Sequence, residues 1–213
     1  MANFQKNRFL QYIPNLVSIV LGIIAVILSL QAYRITKELK ESKPNIIISY
    51  VSYDDLNFLP SGRTDGTDML CTQSIRFQNS GGNPTSLTGF DLTVSDGNGK
   101  SFQLSNENGK AQMFASSGNL PGVQNFQASI FPNDTKFGEQ RFENLVQLNL
   151  PMDIDSYSAI DIQSGLRFFV EQSLWDSINK PHDDPLLLIT VIYTFHFASG
   201  QSISTPEMQC FWQ

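Results

Sequence analysis

The sequence predicts an all-β domain, an antiparallel immunoglobulin-like sandwich, that follows one N-terminal transmembrane helix. One uncharged, strongly apolar run lies near the N-terminus, and beyond Pro44 the apolar residues recur with a period of two rather than 3.6. Clusters of Gly, Asn, Pro and Asp separate these alternating runs at short intervals. We therefore divide the chain into a short N-terminal tail (1–12), a transmembrane helix (13–33), a basic helical stalk (34–44) and the β-sandwich domain (45–213).

The predicted transmembrane helix rests on the apolar run Leu16–Leu30, which lies in a window, 9–33, without Asp, Glu, Lys or Arg. About 20 helical residues cross a hydrocarbon core of about 30 Å, so this window is long enough to span a membrane. The run is longer than the apolar part of a cleaved signal peptide, and we expect a retained single-pass anchor. Simple lipid exposure is the favoured interpretation of this run, and a helix-packing face is the alternative, because small residues recur along it: Ser18, Gly22, Ala25 and Ser29.

Basic residues flank the apolar run unequally. Lys6 and Arg8 precede it, and four follow it: Arg34, Lys37, Lys40 and Lys43. The positive-inside rule therefore gives a slight preference for the cytoplasmic side for the large domain. These cations also match anionic lipid headgroups, so the lipid bilayer is the first predicted partner.

The remainder of the chain is acidic. Residues 44–213 carry eight Lys or Arg against eighteen Asp or Glu, a formal charge of −10. A domain of this charge repels the phosphate backbone, so we expect no nucleic acid partner.

The strands are predicted from alternation and from turn residues. We expect them at 45–53, 69–79, 90–94, 101–104, 126–131, 145–150, 159–162, 167–170 and 186–197, with a last strand that ends at 212. Asp96-Gly-Asn-Gly99 is typical of a tight hairpin turn. Loops are expected after Tyr53 and over 105–124, the second with a short helix near 111–115, and a helical turn is expected at 173–180.

The segment Phe77-Gln-Asn-Ser-Gly-Gly-Asn-Pro-Thr-Ser-Leu-Thr88 joins an Asn at a strand end, a glycine turn, a Pro and the opening of the next strand. With the strand, Gly turn and strand at Thr194–Ser204, this plan resembles bacterial single-pass membrane proteins of unknown function. In those proteins a basic stalk leads into an immunoglobulin-like sandwich. The resemblance implies a fold and supplies neither an activity nor functional residues.

The sequence assigns no catalytic, cofactor-binding or metal-binding residues. It has no CxxC pair and no G-x-S-x-G elbow, and its two histidines are His182, in a turn, and His196, expected on the solvent face of a sheet. Aspartates cluster in segments that leave a calcium site open as an alternative to solvated charges: Asp54 with Asp55, Asp153 with Asp155 and Asp161, and Asp183 with Asp184. A hydrolase with an unrecognised site is a less favoured alternative.

The two cysteines are expected to point inwards. Cys71 shares its parity with Met69 and Phe77, and Cys210 shares its parity with Met208. They are either two buried thiols or a disulfide, and a disulfide would place the domain in an oxidising compartment.

Aromatic residues in or beside the predicted loops either cap the core or form a docking patch: Phe114, Phe126, Phe137 and Trp175. We expect a membrane-anchored, non-catalytic module that binds a partner protein of unidentified type, such as an accessory subunit of a membrane complex. The alternative is a ligand-binding or sensory domain for a sugar, a peptide or Ca²⁺.

Overall fold

The structure is a computed structural model that describes residues 3–53, 57–59, 64–96, 99–105, 111–117, 120–137, 141–178 and 186–212. It consists of two compact units, Met1–Ser42 and Lys43–Gln213.

The first unit is the helix α1, Asn3–Glu41. Its segment Val17–Glu38 is long and apolar enough to cross a membrane, a test that an N-terminal signal sequence also passes. Every side chain described within 17–38 is exposed. The helix begins at Asn3, ten residues before the predicted start of the transmembrane segment at 13. Residues 3–12 contain no Gly or Pro to break a helix, and charged residues such as Lys6 and Arg8 do not end one.

The second unit is built from strands, with a short helix α2 at Gln172–Ile178. The strands are β1 (Ile46–Tyr53), β2 (Asn57–Leu59), β3 (Gly66–Asn79), β4 (Thr85–Ser95), β5 (Ser101–Ser105), β6 (Gln112–Ser117), β7 (Val123–Pro132), β8 (Met152–Ile154), β9 (Ala159–Glu171), β10 (Leu186–Phe197), β11 (Ser202–Ser204) and β12 (Met208–Trp212).

These strands form two antiparallel sheets. Sheet A has the order β1-β3-β9-β7-β6, with β2 beside β3. Sheet B has the order β11-β10-β4-β5, with β12 beside β10 and β8 beside β4. The prediction of an all-β, antiparallel domain after an N-terminal apolar helix is confirmed at this level.

The inner faces of the two sheets share one core. Along β10, the residues Ile189, Val191, Tyr193 and Phe195 are all fully buried, as the period of two predicts. The ring of Phe77 on β3 meets that of Phe195 edge-on, with 4.9 Å between the centroids. Each such side chain contributes about 1.5–3 kcal/mol through burial, so this contact between the sheets is the main stabilising term.

A disulfide crosses between the sheets. It joins Cys71 on β3 to Cys210 on β12, with 6.6 Å between the Cα atoms. The two residues are 139 positions apart in sequence. In the chain-entropy model a crosslink over so long a loop contributes about 4–5 kcal/mol to the free energy of unfolding.

A second, smaller cluster covers part of the outer face of sheet A. Phe131 and Phe142 are buried there against Leu70, and Phe137 and Leu145 pack beside them.

Gly165, in the middle of β9, provides the space for these rings. A Cβ at this position would lie 3.0 Å from the ring of Phe142 and 3.2 Å from that of Phe131. We predicted two separate strands here, 159–162 and 167–170. That prediction is wrong, because Gly165 accommodates aromatic rings and does not interrupt the strand.

Three other local predictions are wrong. The segment 105–124 contains an edge strand, β6, instead of a helix at 111–115, because Met113 is buried and Phe114 is exposed in strand alternation. Residues 145–150 form no strand; the amide of Leu148 donates to the carbonyl of Ile130 at 3.0 Å, and Leu145 and Leu148 pack against core side chains. In the region after Tyr53, β2 pairs with β3 where a loop was expected.

The turn motif at 77–88 contains Asn79, whose hydrogen bonds form a polar junction that holds the segment before β1 in place. Asn79 is fully buried, and its Oδ1 accepts from the amides of Asn45 at 3.2 Å and Gly81 at 3.0 Å. Its Nδ2 donates to the carbonyls of Asn83 at 2.9 Å and Asp155 at 3.1 Å. One amide side chain with all four of its hydrogen bonds made therefore joins three separate segments.

A second amide completes this junction from sheet B. Gln201 Oε1 accepts from the amide of Ile46 at 2.9 Å, and its Nε2 donates to the carbonyl of Ile46 at 2.6 Å. The first residue of β1 is therefore held by both sheets.

We predict that Asn79→Ala lowers the free energy of unfolding by about 2–4 kcal/mol, because it leaves two amides and two carbonyls without partners. Urea unfolding of the full-length chain in detergent measures this change. Gln78→Ala, at the exposed neighbouring position, is the control and should alter it by less than about 0.5 kcal/mol. Equal effects of the two substitutions would contradict the role of Asn79.

Candidate interaction surface

One edge of sheet A exposes large apolar side chains. β1 is the outer strand on this side and pairs with β3 in the part of the chain that the structure describes. Three of its side chains are strongly exposed, Ile47 at 44%, Tyr50 at 57% and Tyr53 at 44%. We call these three residues and the backbone of β1 the β1 edge surface.

A β-bulge explains why Tyr50 points outwards, on the same face as Ile47. The register of β1 against β3 shifts between Ile48 and Tyr50, at Ser49. Ile48 and Val51 consequently both pack against the core, while Tyr50 lies opposite the exposed Arg76. Sequence reasoning missed this surface because a run of β-branched residues is typical of a buried strand.

Arg76, next to Tyr50, forms a bidentate ion pair across sheet A. Its Nε lies 2.7 Å from Asp161 Oδ1, and its Nη2 lies 2.8 Å from Asp161 Oδ2. The hydrogen bonds from Arg76 lower the pKa of Asp161, and the same contact raises the pKa of Arg76. The β1 edge surface therefore lies beside an arginine whose positive charge is neutralised by Asp161.

A groove lies on the outer face of sheet A near the opposite edge, at a bulge in β7. It encloses about 420 Å³, and six of its lining residues are Asp68, Phe114, Asn125, Phe126, Gln127 and Arg167. We call it the β7 groove.

Register and backbone geometry position the residues of this groove. Phe114 on β6 lies opposite Gln127 on β7, which lies opposite Arg167 on β9. Asn125, in the bulge, has a left-handed backbone with φ of 56°, a conformation that Asn tolerates better than most residues. Phe114 is 68% exposed and forms one wall.

Two carboxylates balance the guanidinium at the bottom of the β7 groove. Arg167 Nη2 lies 2.9 Å from Asp68 Oδ2, and its Nη1 contacts Glu143 Oε1. The side chain of Asp68 is only 7% exposed, so removal of Arg167 would leave a nearly buried charge without its partner. Beneath the surface, Gln127 Nε2 is buried with no hydrogen-bond partner among the described residues.

His196 belongs to a polar network on the outer face of sheet B. Its Nε2 lies 2.9 Å from Asp91 Oδ2, and its Nδ1 lies 2.9 Å from Ser202 Oγ. A catalytic triad has the opposite arrangement, with serine at Nε2 and the carboxylate at Nδ1. The bonds join β4, β10 and β11, and we assign them to holding these strands in register.

The four aromatic residues considered from sequence do not form one patch. Phe114 and Phe126 line the same groove, but Phe126 is 1% exposed and packs on Phe102 with 4.7 Å between ring centroids. Phe137 packs on Phe131 in the outer cluster, and Trp175 on α2 is half-buried against the main core. Alternation along β7 turns Phe126 inwards, so only Phe114 remains as a strongly exposed aromatic of this set.

The small residues of α1 are all exposed: Ser18, Gly22, Ala25 and Ser29. Ser29 Oγ donates to the carbonyl of Ala25 at 2.8 Å, a bond within the helix that serines commonly make. Their helix-packing role stays a prediction.

The aspartates considered for calcium that the structure describes are Asp153, Asp155 and Asp161. Asp161 pairs with Arg76, and Asp153 Oδ1 accepts from Ser86 Oγ at 2.7 Å. Among the described residues, no three His, Cys, Asp or Glu side chains lie close enough to hold a metal ion. His182, Asp54, Asp55, Asp183 and Asp184 lie outside the described residues.

Comparisons with known proteins assign no family. No family model and no curated protein matches the chain. Among solved structures, a Bordetella pertussis protein assigned as ApaA is similar at 12% identity and a TM-score of 0.34, over 79% of this chain and 93% of that one.

Two further solved structures are similar over 79% of this chain. A structural-genomics target, SoR45, has 14% identity, a TM-score of 0.33 and 86% of its own length covered. The CupB6 tip adhesin from Pseudomonas aeruginosa has 10% identity, a TM-score of 0.36 and 52% of its length covered. At such scores these likenesses identify neither a family nor a function for the chain.

The Arg76–Asp161 pair predicts a pH effect. Because the pKa of Asp161 is lowered in the folded state, its contribution to stability is present above the ordinary carboxyl pKa and is lost as the pH falls through the lowered value. Arg76→Gln should return the titration of Asp161 towards its ordinary range.

Carboxyl carbon NMR on the full-length chain in detergent measures that titration. Arg141→Gln, at another exposed arginine, is the matched control and should leave Asp161 unchanged. An identical Asp161 titration in the native and Arg76→Gln proteins would rule out the pair.

Proposed function

We propose that this protein is a membrane-anchored, non-catalytic interaction module whose β1 edge surface docks a partner protein. The observation that supports this most strongly is the exposure of Ile47, Tyr50 and Tyr53 along a strand that, in the described part of the chain, pairs only with β3. Tyrosine is enriched among the residues that dominate binding energy at protein interfaces.

The edge lacks several features that usually prevent strand pairing between proteins, although it contains one of them, the bulge at Ser49. Natural edges carry Lys or Pro, or are very short, whereas β1 has eight residues and contains neither type. An extended segment of a partner can pair with the free backbone groups of β1 and pack side chains against Tyr50, which is β-augmentation.

The helix α1 supplies the second part of the proposal. Only four residues, 42–45, separate the end of α1 from β1, so in sequence the docking strand directly follows the anchor. Confinement of both partners to a membrane raises their effective concentration, so a small interface suffices. A protein segment belonging to a membrane complex is the partner that these features favour.

We place the domain on the oxidising side of the membrane. The bond between Cys71 and Cys210 supports this side, because disulfides persist in oxidising compartments. The positive-inside rule favours the cytoplasmic side only weakly, because four Lys or Arg follow the apolar run and two precede it. The positively charged amino terminus adds to the two that precede it and narrows this difference. A crosslink between two packed sheets also supports an immunoglobulin-like sandwich as the finer description of the fold.

Site-specific photo-crosslinking in cells tests the docking surface. We expect a photoreactive phenylalanine analogue at position 50 to form one discrete adduct, and the same analogue at Tyr157, another exposed tyrosine, to form none. Ile47→Lys should abolish the adduct without altering urea unfolding, because the added cation lies on the exposed edge. Equal adducts from positions 50 and 157, or none from position 50, would refute the proposal.

A further inference from the structure

We infer that the β7 groove is a binding site for a neutral saccharide, which stacks on Phe114 and hydrogen-bonds to Asn125 and Arg167. This site lies near the β6 edge of sheet A, the edge opposite β1, so the inference is independent of the proposed protein-docking surface.

The direction of the groove limits how a ligand can be recognised. Its residues form a row across the strands, from Phe114 on β6 through Gln127 on β7 to Arg167 on β9. Outside the bulge, the backbone groups between paired strands are used in the sheet, so a ligand lying across them meets mainly side chains. A peptide that adds to the sheet would instead run along β6.

The side chains offer one apolar face and several planar polar groups. Phe114 presents an exposed ring, and the exposed Asn125 is held beside it by the left-handed bulge. Bulges commonly redirect a side chain next to a binding site. A sugar ring has the matching chemistry, an apolar face of C–H groups surrounded by hydroxyls that both donate and accept.

The charges of the groove disfavour an anionic ligand. Arg167 is already paired with Asp68 and Glu143, so an anionic ligand would meet two carboxylates for one guanidinium. The guanidinium has five N–H donors, and those not used by the carboxylates can serve hydroxyl oxygens. Gln127 Nε2, the buried donor without a partner in the described structure, lies among the residues under this surface and gains an acceptor if a ligand hydroxyl reaches the floor.

The test uses the full-length chain in phosphatidylcholine nanodiscs, which avoid glycoside detergents. The probes are an array of neutral mono- to tetrasaccharides, followed by saturation-transfer NMR titration of the best sugar. We expect millimolar or tighter binding, weakened about tenfold or more by Phe114→Ala and retained in Phe114→Trp. Asn125→Gly keeps the left-handed backbone and should also weaken binding, whereas Tyr157→Ala should not.

Three outcomes would overturn the inference. No sugar on the array binds; a sugar binds equally well to the native and Phe114→Ala proteins; or an extended tetrapeptide with a central Phe binds through Phe114 while the sugars do not. Urea unfolding of each variant confirms that a loss of binding does not come from a loss of the fold.

Discussion

The face-to-face packing of the two sheets, held by the Cys71–Cys210 bond, is the constraint on which the rest of the domain depends. Cys71 lies on the interior strand β3, whereas Cys210 lies on β12, a short strand that hydrogen-bonds only to β10 in the described structure. The crosslink therefore attaches the end of the chain to the opposite sheet. Low charge and an interior rich in phenylalanine allow the packing, and the covalent bond is of a kind that persists in oxidising compartments.

Both candidate surfaces arise where the sheets depart from regular alternation. The bulge at Ser49 turns Tyr50 outwards, and the bulge at Asn125 opens the groove beside Phe114. Around them, Asn79 fixes the entrance to β1, and the rings packed on Gly165 cover the same outer face beside the groove. A rigid sheet with two local irregularities thus presents two different chemistries, an apolar edge and a mixed polar groove.

The sequence predicted the regular parts of the fold because they follow from periodicity. The alternation of β10 and the inward parity of Cys71 and Cys210 both appear in the structure. The continuity of β9 was not predictable, because the role of Gly165 depends on the rings of Phe131 and Phe142, which lie far from it in sequence. The β1 edge surface was missed for a similar reason, since neither a bulge nor the position of a strand at a sheet edge is visible in local composition.

Cysteine labelling in intact cells with a membrane-impermeant maleimide tests whether the domain is crosslinked and lies on the oxidising side of the membrane. We expect no labelling of Cys71 or Cys210 until reductant and denaturant are both added, and we expect labelling then without permeabilisation. A Gln78→Cys variant, exposed on sheet A, should label at once in the same cells. If Gln78→Cys is labelled only after permeabilisation, the domain does not lie on the oxidising side. If Cys71 and Cys210 are labelled in denaturant without reductant, the domain is not crosslinked.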